Sequence, residues 1–293
     1  MPVRKDKDGY RYVEAEVEVP GSPDEVWQAI ATGKGISSWF VPTTVDERAG
    51  GETVSRFGPG MDAVSKITRW DPPRRYVAES NESDDAEAGE PGAGPGTVAT
   101  EWIVEARTGD TCVVRVVHRW FSETDEWDAE FEGHAYGWAS SFFRMLNLYL
   151  THFAGRDCSA FDLSAFSASP PAETWHRLIS AFRLDPVTQR VESIGDAPEL
   201  AGTVVSTEVT DPELLAVRER SPIVRAAREG LNGENPELLV LLNTPAPGFA
   251  HFFIMPMGEQ TMVSVRFYLY GESGAGIASG TERKWNDWLT SRC

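Results

Sequence analysis

His118 is the residue of this sequence best placed to do chemistry. It lies in the segment 111–121 (TCVVRVVHRWF), where two arginines alternate with apolar residues, so His118 and Trp120 share the face that points inwards. A buried histidine can act as a general base or as a hydrogen-bond partner of a ligand. It can also be a neutral core residue whose ring nitrogens are satisfied by a carbonyl group or a water molecule, and this is the commoner case. The sequence leaves both interpretations open.

Large aromatic side chains are predicted to share this interior with His118. Any one of them is typical of a close-packed core, but so many rings around one histidine favour a cavity with few polar anchors. Trp39 and Phe40 end a short predicted helix, and they either gate the cavity or hold that helix against the sheet. The residues predicted to line the cavity are Trp39, Phe40, Trp102, Val116, His118, Trp120, Trp138, Phe142, Met145 and Tyr149.

Three further polar residues belong to the predicted helix that carries Trp138. His134 precedes Trp138 by about one helical turn, so it either reaches the mouth of the cavity or lies on the surface. Glu130 and Glu132 are interpreted as solvated helix residues.

The sequence lacks other familiar catalytic and metal-binding patterns. The segment 92–96 is rich in glycine but has no Lys-Ser/Thr, and neither HExxH nor GxSxG occurs. The five histidines are too scattered to suggest a metal site. We therefore predict no catalytic nucleophile, no metal and no cofactor.

The elements that position these residues follow from hydrophobic periodicity. A strand at 10–19 precedes a capping box at Ser22 and Glu25, which predicts a helix that ends at the glycines 33 and 35. A second short helix is expected over 36–40. Strands are expected within 43–80, 97–106 and 111–121, and a helix of sustained 3.6-residue period over 124–153. The acidic, Gly- and Pro-rich segment 81–96 is predicted to be a loop.

The second half of the chain repeats this order of elements faintly. Glu173-x-Trp175-x-x-Leu178 matches the spacing of Glu25-x-Trp27-x-x-Ile30. Asp211-Pro212 is expected to separate two strands, as Asp71-Pro72 does. The last helix is predicted to span only about a dozen residues, after a loop at 274–276. We predict one domain over 1–155 and a second, divergent one over 160–293.

Composition and charge restrict the class of protein. The 293 residues are 41% hydrophobic and carry a net charge of −18, which disfavours nucleic acid and anionic membranes as partners. The three cysteines form no CxxC pair, and the N-terminal segment has no apolar core of a signal peptide. We therefore predict a cytoplasmic protein.

The first unit resembles a known family. The segment 17–40 (VEVPGSPDEVWQAIATGKGISSWF), the WDPP turn at 70–73 and Gly137-Trp138 are similar to bacterial proteins related to the C-terminal domain of the Hsp90 ATPase activator. These proteins belong to the START-like, Bet v 1-like (SRPBCC) superfamily. The resemblance implies an α+β helix-grip fold, in which a curved antiparallel sheet surrounds a long C-terminal helix. It also implies a cavity for an apolar small molecule such as a lipid or a polyketide, but not chaperone activity.

Three functions remain open from the sequence. The first is binding of an apolar small molecule in the first unit. The second is a polyketide aromatase/cyclase-like enzyme, in which His118 or Tyr149 would assist proton transfer. The third is a protein-interaction module or co-chaperone-like regulator that docks a partner or forms a homodimer.

Overall fold

The computed structural model describes residues 2–58, 62–81, 96–122, 124–231 and 235–293. The chain forms two compact units. The first consists of Met1–Gly155 together with Val209–Ser221, and the second of Arg156–Glu208 together with Pro222–Cys293. The predicted acidic loop at 81–96 lies almost entirely outside the described residues.

The first unit contains one antiparallel sheet of eight strands. Its second strand pairs with its last, and the remaining strands follow as a meander, in the order β1-β2-β8-β7-β6-β5-β4-β3. The strands are β1 (Arg4–Lys5), β2 (Arg11–Pro20), β3 (Thr43–Val45), β4 (Glu52–Arg56), β5 (Asp62–Asp71), β6 (Arg75–Asn81), β7 (Thr97–Arg107) and β8 (Thr111–Trp120).

Two short helices, α1 (Pro23–Ala31) and α2 (Gly33–Ser37), follow β2. The predicted capping box is confirmed, because Ser22 Oγ accepts from Glu25 N at 3.4 Å and the Glu25 carboxylate accepts from Ser22 N at 2.9 Å. The expected position of the second helix was wrong, since it begins at Gly33 and ends at Ser37. Gly35 packs so closely on α1 that a Cβ atom there would lie 1.8 Å from a backbone oxygen, so this glycine permits contact between helices.

The long helix of the first unit is interrupted. It consists of α3 (Asp128–Gly137), a π-helical turn (Trp138–Phe142) and α4 (Phe143–His152). The N–H of Phe143 donates to the carbonyl of Trp138, which is the i→i+5 pattern of a π turn. Periodicity predicted one regular helix, because one wider turn barely alters the spacing of the apolar stripe.

The second unit has the same topology. Its sheet has the order β10-β11-β12-β13-β14-β15-β9, so its first strand also pairs with its last. The strands are β9 (Cys158–Ser167), β10 (Phe182–Leu184), β11 (Arg190–Ser193), β12 (Ala201–Val205), β13 (Glu237–Thr244), β14 (Gly248–Met257) and β15 (Gln260–Tyr270). The helices of this unit are α5 (Pro171–Ile179), α7 (Pro222–Ala227) and α8 (Gly271–Arg292), and a further helix of this half of the chain, α6 (Pro212–Arg220), lies in the first unit.

Three predictions for the second half were wrong. The last helix, α8, has 22 residues rather than about a dozen. The glycines expected to form a loop belong to its first turns, and Gly274 packs so tightly against Leu269 that a Cβ atom would clash there. Asp211 does not separate two strands but is the N-cap of α6, since its side chain accepts from the backbone N–H groups of Glu213 and Leu214. Helix α6 belongs to the first unit, although the strands on either side of it in sequence, β12 and β13, belong to the second.

The two sheets and their C-terminal helices establish the α+β helix-grip fold in two tandem units. The core of each unit lies between one face of its sheet and its long helix.

Candidate functional site

An aromatic network joins the sheet of the first unit to its long helix. Trp102 on β7 contacts Trp138 of the π turn edge to face, with ring centroids 5.1 Å apart. Trp138 also contacts Phe40 at 5.3 Å and Phe142 at 5.1 Å. Trp39 contacts both Phe40 and Trp102. Five predicted lining residues are therefore in one connected set of rings, in the offset and edge-to-face arrangements that aromatic side chains prefer.

His118 is part of the same site through two hydrogen bonds. The indole N–H of Trp138 donates to His118 Nε2 at 2.9 Å, so this nitrogen carries a lone pair and no proton. His118 Nδ1 lies 3.0 Å from Thr100 Oγ1 and, in the neutral ring, is the protonated nitrogen that donates to the hydroxyl. We call Thr100, His118 and Trp138 the polar trio. It joins β7, β8 and the π turn.

Burial keeps His118 in its neutral form. Burial, and to a smaller extent the nearby ring of His134, 6.0 Å away, together lower the pKa of His118 to about 3. Both ring nitrogens are occupied, so the imidazole has no lone pair left for a reacting group. This arrangement fits a fixed hydrogen-bonding residue better than a general base.

The remaining predicted lining residues lie beside this network. Trp120 stacks on Phe131 at 3.8 Å in a neighbouring cluster at the start of α3. Val116 lies opposite Trp102 in the β7–β8 register and is buried. Met145 and Tyr149 are buried on α4, and the Tyr149 hydroxyl accepts from the Gly155 N–H at 3.4 Å.

Sequence reasoning missed three residues of the site. Phe57 contacts Phe40 at 5.6 Å and is half-buried, so it extends the network towards the surface. Tyr76 stacks against Trp102, donates to the carbonyl of Ile30 at 3.1 Å, and has its pKa raised by burial. The bond of Thr100 to His118 was not foreseen either. The alternation of strands could have found Thr100 and Tyr76, whereas no sequence signal identifies Phe57.

Glu132 differs from its prediction. It was expected to be solvated, but it is buried and forms a bidentate ion pair with Arg220 of α6, with distances of 2.7 and 2.8 Å. The sequence could not reveal this because the partner lies 88 positions away.

The equivalent interior of the second unit is apolar. Aligning Glu25-x-Trp27 with Glu173-x-Trp175 places Phe267 at the position of His118, and cross-strand pairing then places Ala250 at the position of Thr100. Phe267, Phe252 and Trp285 of α8 contact one another, with centroids 5.3 to 6.0 Å apart. The second unit therefore has no counterpart of the bond between His118 and Thr100.

Among the described residues, no group of three or more His, Cys, Asp or Glu side chains is arranged to hold a metal ion. Within the same ranges, no helix has the length and apolar character needed to cross a bilayer.

Comparisons with known proteins support the first unit's family. Residues 20–151 match the family model described as "Activator of Hsp90 ATPase homolog 1-like protein". No curated protein sequence matches the chain.

Several solved structures are similar at low identity. CalU16 from Micromonospora echinospora is 20% identical over 52% of this chain and 83% of its own, with a TM-score of 0.38. The di-domain ARO/CYC BexL from the BE-7585A biosynthetic pathway is 14% identical over 96% of this chain and 98% of its own, with a TM-score of 0.42. The Aha1 dimer from Colwellia psychrerythraea is 19% identical over 47% of this chain and 95% of its own, with a TM-score of 0.37.

Residues 20–151 of the first unit thus match the Activator of Hsp90 ATPase homolog 1-like family model, as the sequence predicted, and the second unit repeats the helix-grip fold outside the matched residues.

Proposed function

We propose that the first unit binds an apolar, planar small molecule among the rings of its aromatic network. The observation that carries the proposal is the π turn, which places Trp138 and Phe142 against Phe40 at the point where the polar trio fixes the indole ring. Such turns are frequent at functional sites. They interrupt the regular hydrogen bonding of the helix, and a core with only a structural role has no need of that interruption.

The chemistry of the site favours recognition by ring contacts rather than by charge. The polar groups that face the rings are already paired: His118 with Thr100 and Trp138, and the Trp39 indole with the carbonyl of Ala29 at 2.9 Å. A charged ligand would lose its hydration without gaining a partner here. An apolar ligand with extended π faces loses little and gains edge and face contacts.

Binding is preferred over an aromatase/cyclase-like reaction because of His118. A general base needs a free lone pair within reach of the substrate proton. In this site the Nε2 lone pair accepts from Trp138 and Nδ1 faces Thr100. The Tyr149 hydroxyl lies at the other end of the helix, at Gly155.

The proposal is tested by titrating the full chain with aminoanthracene, a neutral fluorescent molecule with three fused rings. We expect saturable binding of one molecule per chain. Phe142→Ala should weaken it about tenfold, because a half-buried ring at the edge of the network is lost.

The matched control is Phe166→Ala, which removes an exposed ring of the second unit. It should leave the affinity unchanged. Absence of saturable binding to the unaltered chain would refute the proposal, as would equal weakening by both substitutions.

A further inference from the structure

Helix α6 lies on the outer side of α3, away from the aromatic network. The inward side of α3 carries Phe131 and Ala135, which pack in one cluster with Trp120 of β8. Its other side carries Glu132 and Tyr136, which are buried as well. A surface helix is normally apolar on one side only, so burial of both sides shows that α3 is held between two layers.

The contact between α6 and α3 centres on one ion pair. Arg220 binds the buried Glu132 carboxylate through Nε and Nη2, at 2.7 and 2.8 Å, in the bidentate geometry that makes such pairs strong. The same carboxylate accepts from the backbone N–H of Val3 at 3.2 Å. Glu132 therefore joins α3, α6 and the N-terminal segment.

Packing on either side of this pair is close. Val217 of α6 and Ser221 at its end are fully buried. A Cβ atom on Gly133 would lie 3.4 Å from the Ser221 hydroxyl oxygen, so this part of α3 comes within van der Waals distance of the end of α6. The N-terminus of helix α6 is stabilised by Asp211, which is its N-cap, and by a proline in its first turn.

Neither end of helix α3 is stabilised by a regular cap. Its N-cap residue, Trp127, makes no side-chain capping bond, and its C-terminal end runs into the π turn. Arg11 of β2 binds Asp128 in the first turn and supplies one anchor. Irregular turns of this kind are places where helices bend. On its outer side α3 is anchored by α6 through Arg220 and by the backbone N–H of Val3, and both bind Glu132.

We propose that α6 is a strap that holds α3 against the sheet and so sets how readily α3 opens about the π turn. In sequence, α6 lies between β12 and β13, so a segment from the second half of the chain controls a moving part of the first unit. Only the further step, that this opening admits a ligand, rests on the proposed function.

The strap is tested without any ligand, by hydrogen exchange of the full chain measured by mass spectrometry. Arg220→Ala should speed exchange of the amides of 128–137 about tenfold, because a charged, bidentate hydrogen bond is lost from the closed form. Arg220→Lys keeps the charge but not the bidentate geometry, so it should give a smaller increase in the same segment.

The matched control is Arg218→Ala, on the same helix, where the half-buried guanidinium pairs with the exposed carboxylate of the neighbouring Glu219. It should leave exchange in 128–137 unchanged. Wild-type exchange in the Arg220→Ala variant would overturn the proposal. An equal increase over α3, α4 and β2 would also overturn it, because that pattern indicates loss of stability in the whole unit.

Discussion

The two units share a topology and differ in what their interiors contain. In each, the first long strand pairs with the last, a meander follows, and a long helix covers one face of the sheet. The first unit places His118, Thr100 and a broken helix in the interior. The second places Phe267 and Ala250 at the equivalent strand positions, under the uninterrupted helix α8. The fold alone therefore does not specify a site. The site is specified by the polar residues that stand where the other unit has apolar core residues.

The polar trio also explains why the irregular helix belongs to the first unit. The Trp138 indole must reach His118 on β8, and the π turn is the local geometry in which it does so. Helix α8 has no such partner to reach, and Trp285 packs by ring contacts with Phe252 and Phe267. A regular helix is sufficient for that contact.

The largest effect is expected from truncating the core of the second unit. Trp285→Ala removes a fully buried ring and should lower the free energy of unfolding of that unit by about 3–5 kcal/mol. Chemical denaturation of the full chain measures it. Trp285→Phe should cost much less, about 1 kcal/mol, because the Trp285 indole N–H finds no hydrogen-bond partner in the described part of the chain. Equal losses in both variants would contradict an apolar, close-packed interior.

The next prediction compares the loss of unfolding free energy when an ion pair on the outer face of each sheet is broken. Arg266→Met leaves Asp162 without its partner in a buried pair and should cost about 3 kcal/mol. Arg115→Met breaks the pair with Glu16, which is more exposed, and should cost less than about 1 kcal/mol. Denaturation curves of the two variants, measured together, decide this. A larger loss of unfolding free energy for Arg115→Met than for Arg266→Met would contradict this prediction.

A smaller effect is expected from giving the first unit the residues of the second. His118→Phe leaves the Trp138 indole and the Thr100 hydroxyl without their partner and should cost about 1–3 kcal/mol. Adding Thr100→Ala removes one of the two unpaired groups and should recover part of that loss. Double-mutant analysis of unfolding free energies measures the recovery. Strict additivity of the two substitutions would show that Thr100 and His118 do not interact.

The last prediction concerns the pH dependence of stability. The pKa of His118 is about 3 in the folded protein, below its ordinary value of 6.5, so protonation favours the unfolded chain. Stability should therefore fall as pH drops from 6.5 towards 3, by at most about 1.4 kcal/mol per pH unit from this group. The variant with both His118→Phe and Thr100→Ala should show a shallower decline in unfolding free energy between pH 7 and 4. An unchanged slope would mean that His118 is not held neutral.

Much of the fold could be predicted from the sequence because its signals are local. The alternation in β2, β7 and β8 and the capping box at Ser22 depend on neighbouring residues only. The π turn and the length of α8 could not be predicted, because they depend on partners that approach from distant strands. Gly274 illustrates this, since glycine usually marks a loop and here permits α8 to pack on Leu269.

The site was predictable in part for the same reason. Strand alternation indicated that Trp102 and His118 face inwards, and helical periodicity placed Trp138 on the facing stripe. The pairing of Trp138 with His118, and the burial of Glu132 by Arg220, arise only when distant segments meet.

The most direct test of the central claim is to locate where aminoanthracene binds, by hydrogen exchange of the full chain with and without the compound. We predict protection of peptides from β7, β8 and the segment 128–152 of the first unit, with no change in α8 or β15. Protection of α8 and β15 instead, or of neither unit at a saturating concentration, would contradict the claim that the first unit holds the binding site.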